Sequence, residues 1–276
     1  MPLPRYAVFG HPTAHSLSPR LHALFAAQTG MGLEYVAIDA PPADFPAAIR
    51  SFFKKGGSGA NVTLPHKAAA FDVADVPTAT AERIRVANVL TRLPDGRIEA
   101  DSNDGAGMLT DLRARAGIDP HGCDVLLLGA GGAARATAFA LLDAKVRTLV
   151  IANRTFTRAQ ALAAALVQPE RVRVRRWEAL DSRTPFHLIV NATSAGVRRE
   201  PLALPGTLAD TESVGYDLSY GEAAQPFLEW ANAAGCARAC DGLGMLVETA
   251  AASFHCWHGV QPDTDTALDT LRRTLL

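Results

Sequence analysis

The chain has no long apolar run. No stretch of roughly 18 apolar residues, the minimum for a membrane-spanning helix, occurs in its 276 residues. Its opening, Met1-Pro-Leu-Pro-Arg-Tyr6, lacks the apolar core of a secretory signal. Charge of one sign is missing too: 27 basic residues stand against 28 acidic ones, for a net charge of -1. Without a cationic excess, neither nucleic acid nor an anionic membrane surface is an expected partner. Cysteine is scarce, and Cys123, Cys236, Cys240 and Cys256 match no zinc-ligand spacing. They read as reduced thiols of a cytoplasmic protein, and no metal site is expected. Lysine is the most informative scarcity. Lys54, Lys55, Lys67 and Lys145 are the four lysines, and the other 23 basic residues are arginine. Where charge alone is needed, this chain uses arginine. A lysine kept in a special context is therefore a candidate proton donor, because a guanidinium does not release its proton.

What is present is apolar material for real cores, 48% of the residues, which excludes a disordered chain. At roughly 150 residues per domain the length predicts about two domains. Strand and helix patterns alternate throughout, which predicts an α/β protein. Strands are expected at Arg5–Gly10, Leu33–Asp39 and Gly59–Thr63, and helices at Leu21–Gly30 and Phe45–Phe53. Pro94-Asp95-Gly96 marks a hairpin. The Gly- and Pro-punctuated segment Gly117–Gly122 reads as a domain junction. After it, the apolar strand Asp124–Leu128 has the character of a parallel sheet buried on both faces. Two helices close the chain. A six-stranded nucleotide domain does not need both, so one or both are expected to pack back on the first domain.

The strand Asp124–Leu128 runs into Gly129-Ala-Gly-Gly-Ala-Ala-Arg135, a G-x-G-x-x-A pattern with Gly129, Gly131 and Ala134 at its small positions. Such a turn brings backbone and a helix N-terminus close to a pyrophosphate. The next strand ends at Asn153-Arg154-Thr155. An acidic residue there would hold the ribose 2′-OH of NAD. None is present; Arg154 and Arg158 stand there instead, which suits the 2′-phosphate of NADP.

In the first half, Ser18 is expected to cap a helix whose first residue is Pro19. Ser16 and Ser18 beside free N–H groups can hold a carboxylate. Asn61 and Thr63 alternate onto one strand face. Lys67, Asn88 and Asp104 follow, and their convergence would suit a polyhydroxylated small acid.

The set HSLSP, GANVTLPHK, SNDGAG, GAGGAAR, NRT, NATSAG, YDLSY and DGLGML resembles the shikimate dehydrogenase family over essentially the whole chain. The resemblance implies an α/β fold of two α/β domains. A substrate domain with a mostly parallel sheet would span 1–105, completed by 243–276. A Rossmann domain binding NADP would span 106–242, and the terminal helices would return to the first domain. The implied reaction is the reversible reduction of 3-dehydroshikimate to shikimate, in aromatic amino acid biosynthesis, by a monomer or homodimer. By matching motif, Ser16 and Ser18 would hold the substrate carboxylate. Asn61, Thr63, Asn88 and Tyr220 would line its hydroxyls, and Lys67 and Asp104 would be the catalytic pair. Gly129, Ala130, Gly131, Gly132, Ala133 and Ala134 would face NADP, with Asn153, Arg154, Thr155, Arg158, Thr193, Leu218 and Gly242.

The sequence departs from the family pattern in places. Ser102-Asn103 stands where the family has Asn-Thr before the aspartate, and Ala87-Asn88-Val89 replaces Val-Asn-Thr. Thr249 takes the place of a substrate-contacting glutamine, so a polar gap is expected there. Quinate, an amino-substituted shikimate or another cyclic hydroxy acid is the alternative substrate; Ser18 favours shikimate. A non-catalytic NADPH sensor would keep the nucleotide motifs but would not need Lys67 and Asp104.

Overall fold

In a computed structural model, which describes residues 2–181, 184–198, 200 and 202–275, the chain forms two units. One is Met1–Asp104 with Val247–Leu276, the other Gly105–Leu246.

Unit 1 opens with β1 (Arg5–Gly10), α1 (Ser18–Thr29), β2 (Glu34–Asp39), α2 (Phe45–Lys54) and β3 (Gly57–Val62). It continues with α3 (Lys67–Val73), β4 (Val76–Pro77), α4 (Ala79–Ile84), β5 (Val89–Arg92) and β6 (Ile98–Asp101). The six strands lie in the order β2-β1-β3-β5-β6-β4. β5 pairs antiparallel with β3 and β6, while the other ladders are parallel. The core gathers Phe9, Phe45, Ile49, Phe52 and Leu90. α2 buries Phe45, Ile49, Phe52 and Phe53, the i, i+4, i+7, i+8 stripe of a helix lying on a sheet. Phe9 meets Phe45 and Phe52 edge to face, the geometry that aromatic quadrupoles favour.

Unit 2 takes up α5 (Asp104–Ala114) from its second residue, then β7 (Asp124–Leu128), α6 (Gly132–Asp143), β8 (Thr148–Asn153) and α7 (Phe156–Leu166). β9 (Val172–Arg176), β10 (Leu188–Asn191), β11 (Val214–Asp217), α8 (Gln225–Ala233) and β12 (Arg238–Cys240) follow. All five ladders are parallel, in the order β12-β11-β10-β7-β8-β9. This is the Rossmann arrangement, with its switch point between β7 and β10. Val125–Leu128 are fully buried, as a central parallel strand requires.

The Gly117–Gly122 segment does not separate the units; it lies inside unit 2, between α5 and β7. The physical reason is the anchoring of α5. Tyr216 of β11 donates its hydroxyl to Asp111 at 2.5 Å, and Arg238 of β12 donates to the Ala116 carbonyl at 2.8 Å. These bonds tie α5 to the parallel sheet.

From Val247 onward α9 (Leu243–His258) belongs to unit 1, together with α10 (Thr264–Leu275). Trp257 stacks on Tyr6 with centroids 4.6 Å apart and donates its indole N–H to the Thr91 hydroxyl at 3.1 Å. Gln28 of α1 exchanges two 3.1 Å hydrogen bonds with the backbone of Asp263, just before α10. The terminal helices thus return to the first unit. Among the described residues no helix is long and apolar enough to cross a membrane, and no cluster of three His, Cys, Asp or Glu could hold a metal. The four cysteines are free thiols.

Candidate active site

The first group of candidate residues lies in unit 1, where β3 ends. The turn from Thr63 to His66 closes with a 2.9 Å bond from the His66 N–H to the Thr63 carbonyl. His66 is pinned beneath it, its ring stacked on Phe45 and its Nε2 2.7 Å from the Ala40 carbonyl. Burial lowers the His66 pKa. The turn delivers Lys67 as the first residue of α3. Asp104 opens α5, and its Oδ2 accepts from Lys67 Nζ at 2.5 Å. Both side chains are largely withdrawn from water, 13% and 6% exposed. The other oxygen of Asp104 accepts from Asn88 Nδ2 at 3.0 Å. An ion pair so shielded holds one geometry, and removing either partner leaves a buried charge uncompensated.

Asn61, on β3, joins the same network from behind. Its Nδ2 donates to Ser253 Oγ at 2.8 Å and to the Asn88 carbonyl at 3.3 Å, and its Oδ1 accepts from the Tyr35 hydroxyl at 2.8 Å. Burial raises the Tyr35 pKa well above its ordinary value, so the phenol stays a proton donor. His22 stacks on Tyr35 with centroids 4.0 Å apart. Burial pushes its pKa down to about 3, against the opposing pull of a side-chain hydrogen bond with Asn61. Thr63 stands just past β3, its methyl packed against Gly10.

Two expectations for this unit change. Ser18 is not the helix cap: Leu17 holds that position, Ser18 is the first helical residue and Pro19 the second. Proline fits there because first-turn N–H groups have no intrahelical acceptor. Ser18 is instead buried, its side chain is hydrogen-bonded with that of Tyr35, and its N–H donates to Ser16 Oγ at 3.3 Å. At Thr249 there is no open polar gap. The residue is 8% exposed and its hydroxyl is sealed without a partner. The Thr249 carbonyl accepts from Asn103 Nδ2 and Ser253 Oγ, both at 3.0 Å. Tyr220 lies in unit 2, just beyond β11, within the 106–242 span expected for the second domain. Tyr35, Asn103 and Ser253 were not among the expected site residues. Ser253 had a signal, since it follows Thr249 by one helical turn.

The second group lies in unit 2, at the switch point. Gly129 follows β7 at φ +114°, and a Cβ there would stand 2.7 Å from the Ala192 carbonyl oxygen, so glycine alone fits. α6 begins at Gly132, with no side chain capping its first turn and open space where a Gly131 side chain would be. Ala134 is fully buried against the sheet. Ala130 and Arg158 line a groove of about 300 Å³ with Arg135, Ala161 and Leu162. That volume is at the small end of ligand sites. Free amide donors, room above the glycines and two guanidiniums fit a phosphorylated dinucleotide.

Asn153 Nδ2 donates to the Thr155 carbonyl at 2.9 Å, which shapes the turn that holds Arg154. Arg154 itself is ion-paired with Glu200 at 2.7 Å. Glu200 comes from the loop after β10, a neighbour the sequence order hides. Thr193, Leu218 and Gly242 are brought together by a buried acid. Asp217 accepts from Asn191 Nδ2 and from the Ser219 N–H, both at 2.7 Å, and Asn191 Oδ1 accepts from the Thr193 hydroxyl at 2.8 Å. The Gly242 N–H donates to the Ser219 carbonyl at 2.7 Å, and a side chain at Gly242 would strike the Leu218 carbonyl. Burial raises the Asp217 pKa to about 7 against the opposing pull of its hydrogen bonds.

Comparison with known proteins agrees with this arrangement. A family model described as the shikimate dehydrogenase substrate binding domain matches residues 8–90. A second, described as shikimate / quinate 5-dehydrogenase, matches residues 112–199. A shikimate dehydrogenase (NADP(+)) from Xanthomonas euvesicatoria pv. vesicatoria (strain 85-10) is 52% identical over 276 residues, covering 99% of this chain and 96% of the relative. Among solved structures, an Ael1 enzyme from Pseudomonas putida is 43% identical with a TM-score of 0.87, covering 97% of this chain and 98% of that one. Shikimate 5-dehydrogenase from Thermus thermophilus, in complex with NADP(H) and shikimate, is 35% identical with a TM-score of 0.86, covering 99% and 100%. With matches that run through both units and the motif residues held in the geometry just described, the chain belongs to the shikimate dehydrogenase family.

Proposed function

We propose that this protein catalyses the reversible, NADP-dependent interconversion of 3-dehydroshikimate and shikimate, a step of aromatic amino acid biosynthesis. The observation that carries the reading is the shielded Lys67–Asp104 pair, in a chain 52% identical to a named shikimate dehydrogenase. Unit 1 binds the substrate and unit 2 the cofactor. Ser16 and Ser18 receive the carboxylate, Asn61, Thr63 and Asn88 the ring hydroxyls, and Thr249 supports the same wall from α9. The turn from Gly129 to Ala134, with Asn153, Arg154, Thr155, Arg158, Thr193, Leu218 and Gly242, holds NADP. Free thiols suit a cytoplasmic setting.

The bound cofactor supplies the hydride in the reducing direction. Reduction of the carbonyl leaves an alkoxide, and Lys67 gives it a proton from Nζ. In the oxidising direction the neutral amine of Lys67 takes the hydroxyl proton. Asp104 accepts one ammonium hydrogen and so aims the others, while Asn88 holds the Asp104 carboxylate in place. The test is a spectrophotometric screen at 340 nm (the absorbance of NADPH) with shikimate, quinate and aminoshikimate, each with NADP and NAD. Shikimate with NADP is expected to react fastest. Quinate belongs in the panel because the second family model covers both acids, and a clear quinate preference would overturn the reading.

A further inference from the structure

The amide hydrogens of three asparagines are all committed inside unit 1. Asn61 gives its two to Ser253 Oγ and the Asn88 carbonyl. Asn88 gives its two to Asn103 Oδ1 at 2.7 Å and Asp104 Oδ1 at 3.0 Å. Asn103 gives its two to the Thr249 carbonyl and to Ser253 Oγ at 3.1 Å. Ser253 is the hub, since it accepts twice and sends its own hydrogen to the Thr249 carbonyl. Tyr35 donates to Asn61 Oδ1, and Asn88 Oδ1 accepts from the Asn103 N–H at 2.9 Å. Every bond direction is thereby fixed, because an amide nitrogen only donates and a carbonyl oxygen only accepts. What the network leaves for a ligand is acceptor capacity on Asn88 Oδ1 and the Asp104 carboxylate. The donor it leaves is the Lys67 ammonium.

We infer that Tyr35, Asn103 and Ser253 are positioning residues that present this wall as a hydrogen-bond acceptor. Facing this wall, the C4 and C5 substituents of the ring donate hydrogen bonds, and the wall admits a carbonyl only opposite Lys67. This rests on the reaction proposed above. Hydroxyl and ammonium groups satisfy the wall. Fluorine, close to hydroxyl in size, cannot donate and leaves an acceptor facing an acceptor. A site built around a substrate hydroxyl rejects an analogue lacking it more strongly than an apolar pocket rejects a missing methylene.

The test measures competitive Ki values against shikimate on the whole protein with NADP. The probes are 4-deoxy-4-fluoroshikimate, 5-deoxy-5-fluoroshikimate and 5-amino-5-deoxyshikimate. Ki is read because fluorine also slows hydride loss from a neighbouring carbon. Both fluoro compounds are expected to bind roughly 10- to 100-fold more weakly than shikimate, as an unpaired buried acceptor dictates, and the amine within about fivefold. Ser253→Ala frees amide hydrogens on Asn61 and Asn103, so the fluoro penalty is expected to shrink at least about threefold. If Ser253→Ala does not fold, Tyr35→Phe, which lets the Asn61 amide turn, reads the same ratio. Fluoro compounds that bind like shikimate, or an amine as weak as they are, overturn the acceptor wall. An unchanged penalty in the folded variant overturns the positioning role, since a merely structural residue shifts all Ki values together. If shikimate itself does not react, the proposed function fails instead.

Discussion

In the proposed reaction Lys67 is the residue on which the chemistry turns, and the scarcity of lysine in the composition is the reason it stood out. Lys67→Ala is expected to lower kcat by roughly 10²–10⁴, the range for general acid–base catalysis, with a smaller change in KM. Lys67→Arg should not restore turnover, because the guanidinium keeps its proton at any working pH. NADPH binding, followed by fluorescence, should stay intact in both. A Lys67→Arg enzyme with near-normal kcat would show that charge alone suffices. At this scale the sequence was legible where a residue carries its own chemistry. Lys67, Asp104, Asn61 and Asn88 all sit in short motifs, and the structure joins them. It was illegible where meaning lies in the direction of hydrogen bonds. Tyr35 and Ser253 have side chains common in any core, and only their shared contact with Asn61 gives them a part.

Among the elements, the loop after β10 shows how parallel sheets defeat linear reading. No acid follows β8 in sequence, yet the loop brings Glu200 to Arg154 across 46 positions. In the proposed cofactor site this carboxylate competes with a ribose phosphate for the same guanidinium. Glu200→Gln is therefore expected to lower the Kd for NADP by about two- to fivefold, the worth of an exposed ion pair, and to leave NAD binding unchanged. Titration of intrinsic fluorescence with each nucleotide checks it; a weaker NADP affinity would mean that Glu200 holds Arg154 ready instead. The long elements were readable because their apolar periods are strong: β7 as a buried strand and α2 as a striped helix. β4 and α4 escaped because two and six residues are too short to show a period. α4 owes its start to one hydrogen bond, from the Ala81 N–H to the Thr78 hydroxyl. The segment Gly117–Gly122 looked like a border because glycine and proline mark turns of any kind.

For the whole molecule, Asp217 sets a pH dependence whose sign is unusual for an aspartate. Its carboxyl keeps its proton up to about pH 7 in the folded protein, against an ordinary value of 3.8. Between those values the folded state binds the extra proton, so stability falls as pH rises through the window. The total is on the order of 4 kcal/mol, as about three pKa units imply. Urea midpoints of the wild type and Asp217→Asn, compared from pH 5 to 8, should diverge by up to about 1.4 kcal/mol per pH unit, the wild type losing ground. Parallel profiles would count against the assignment. Another property of the whole chain follows from the split of unit 1 across both ends. On the ribosome the residues up to Asp104 emerge first, but the helices that complete their unit emerge last. At roughly 5–20 residues per second, the open half-unit waits for seconds to tens of seconds while unit 2, continuous in sequence, has all it needs to fold. The first part made is the last to be finished, and until then Tyr6 and Gly59 of its sheet lack the Trp257 ring that packs on them.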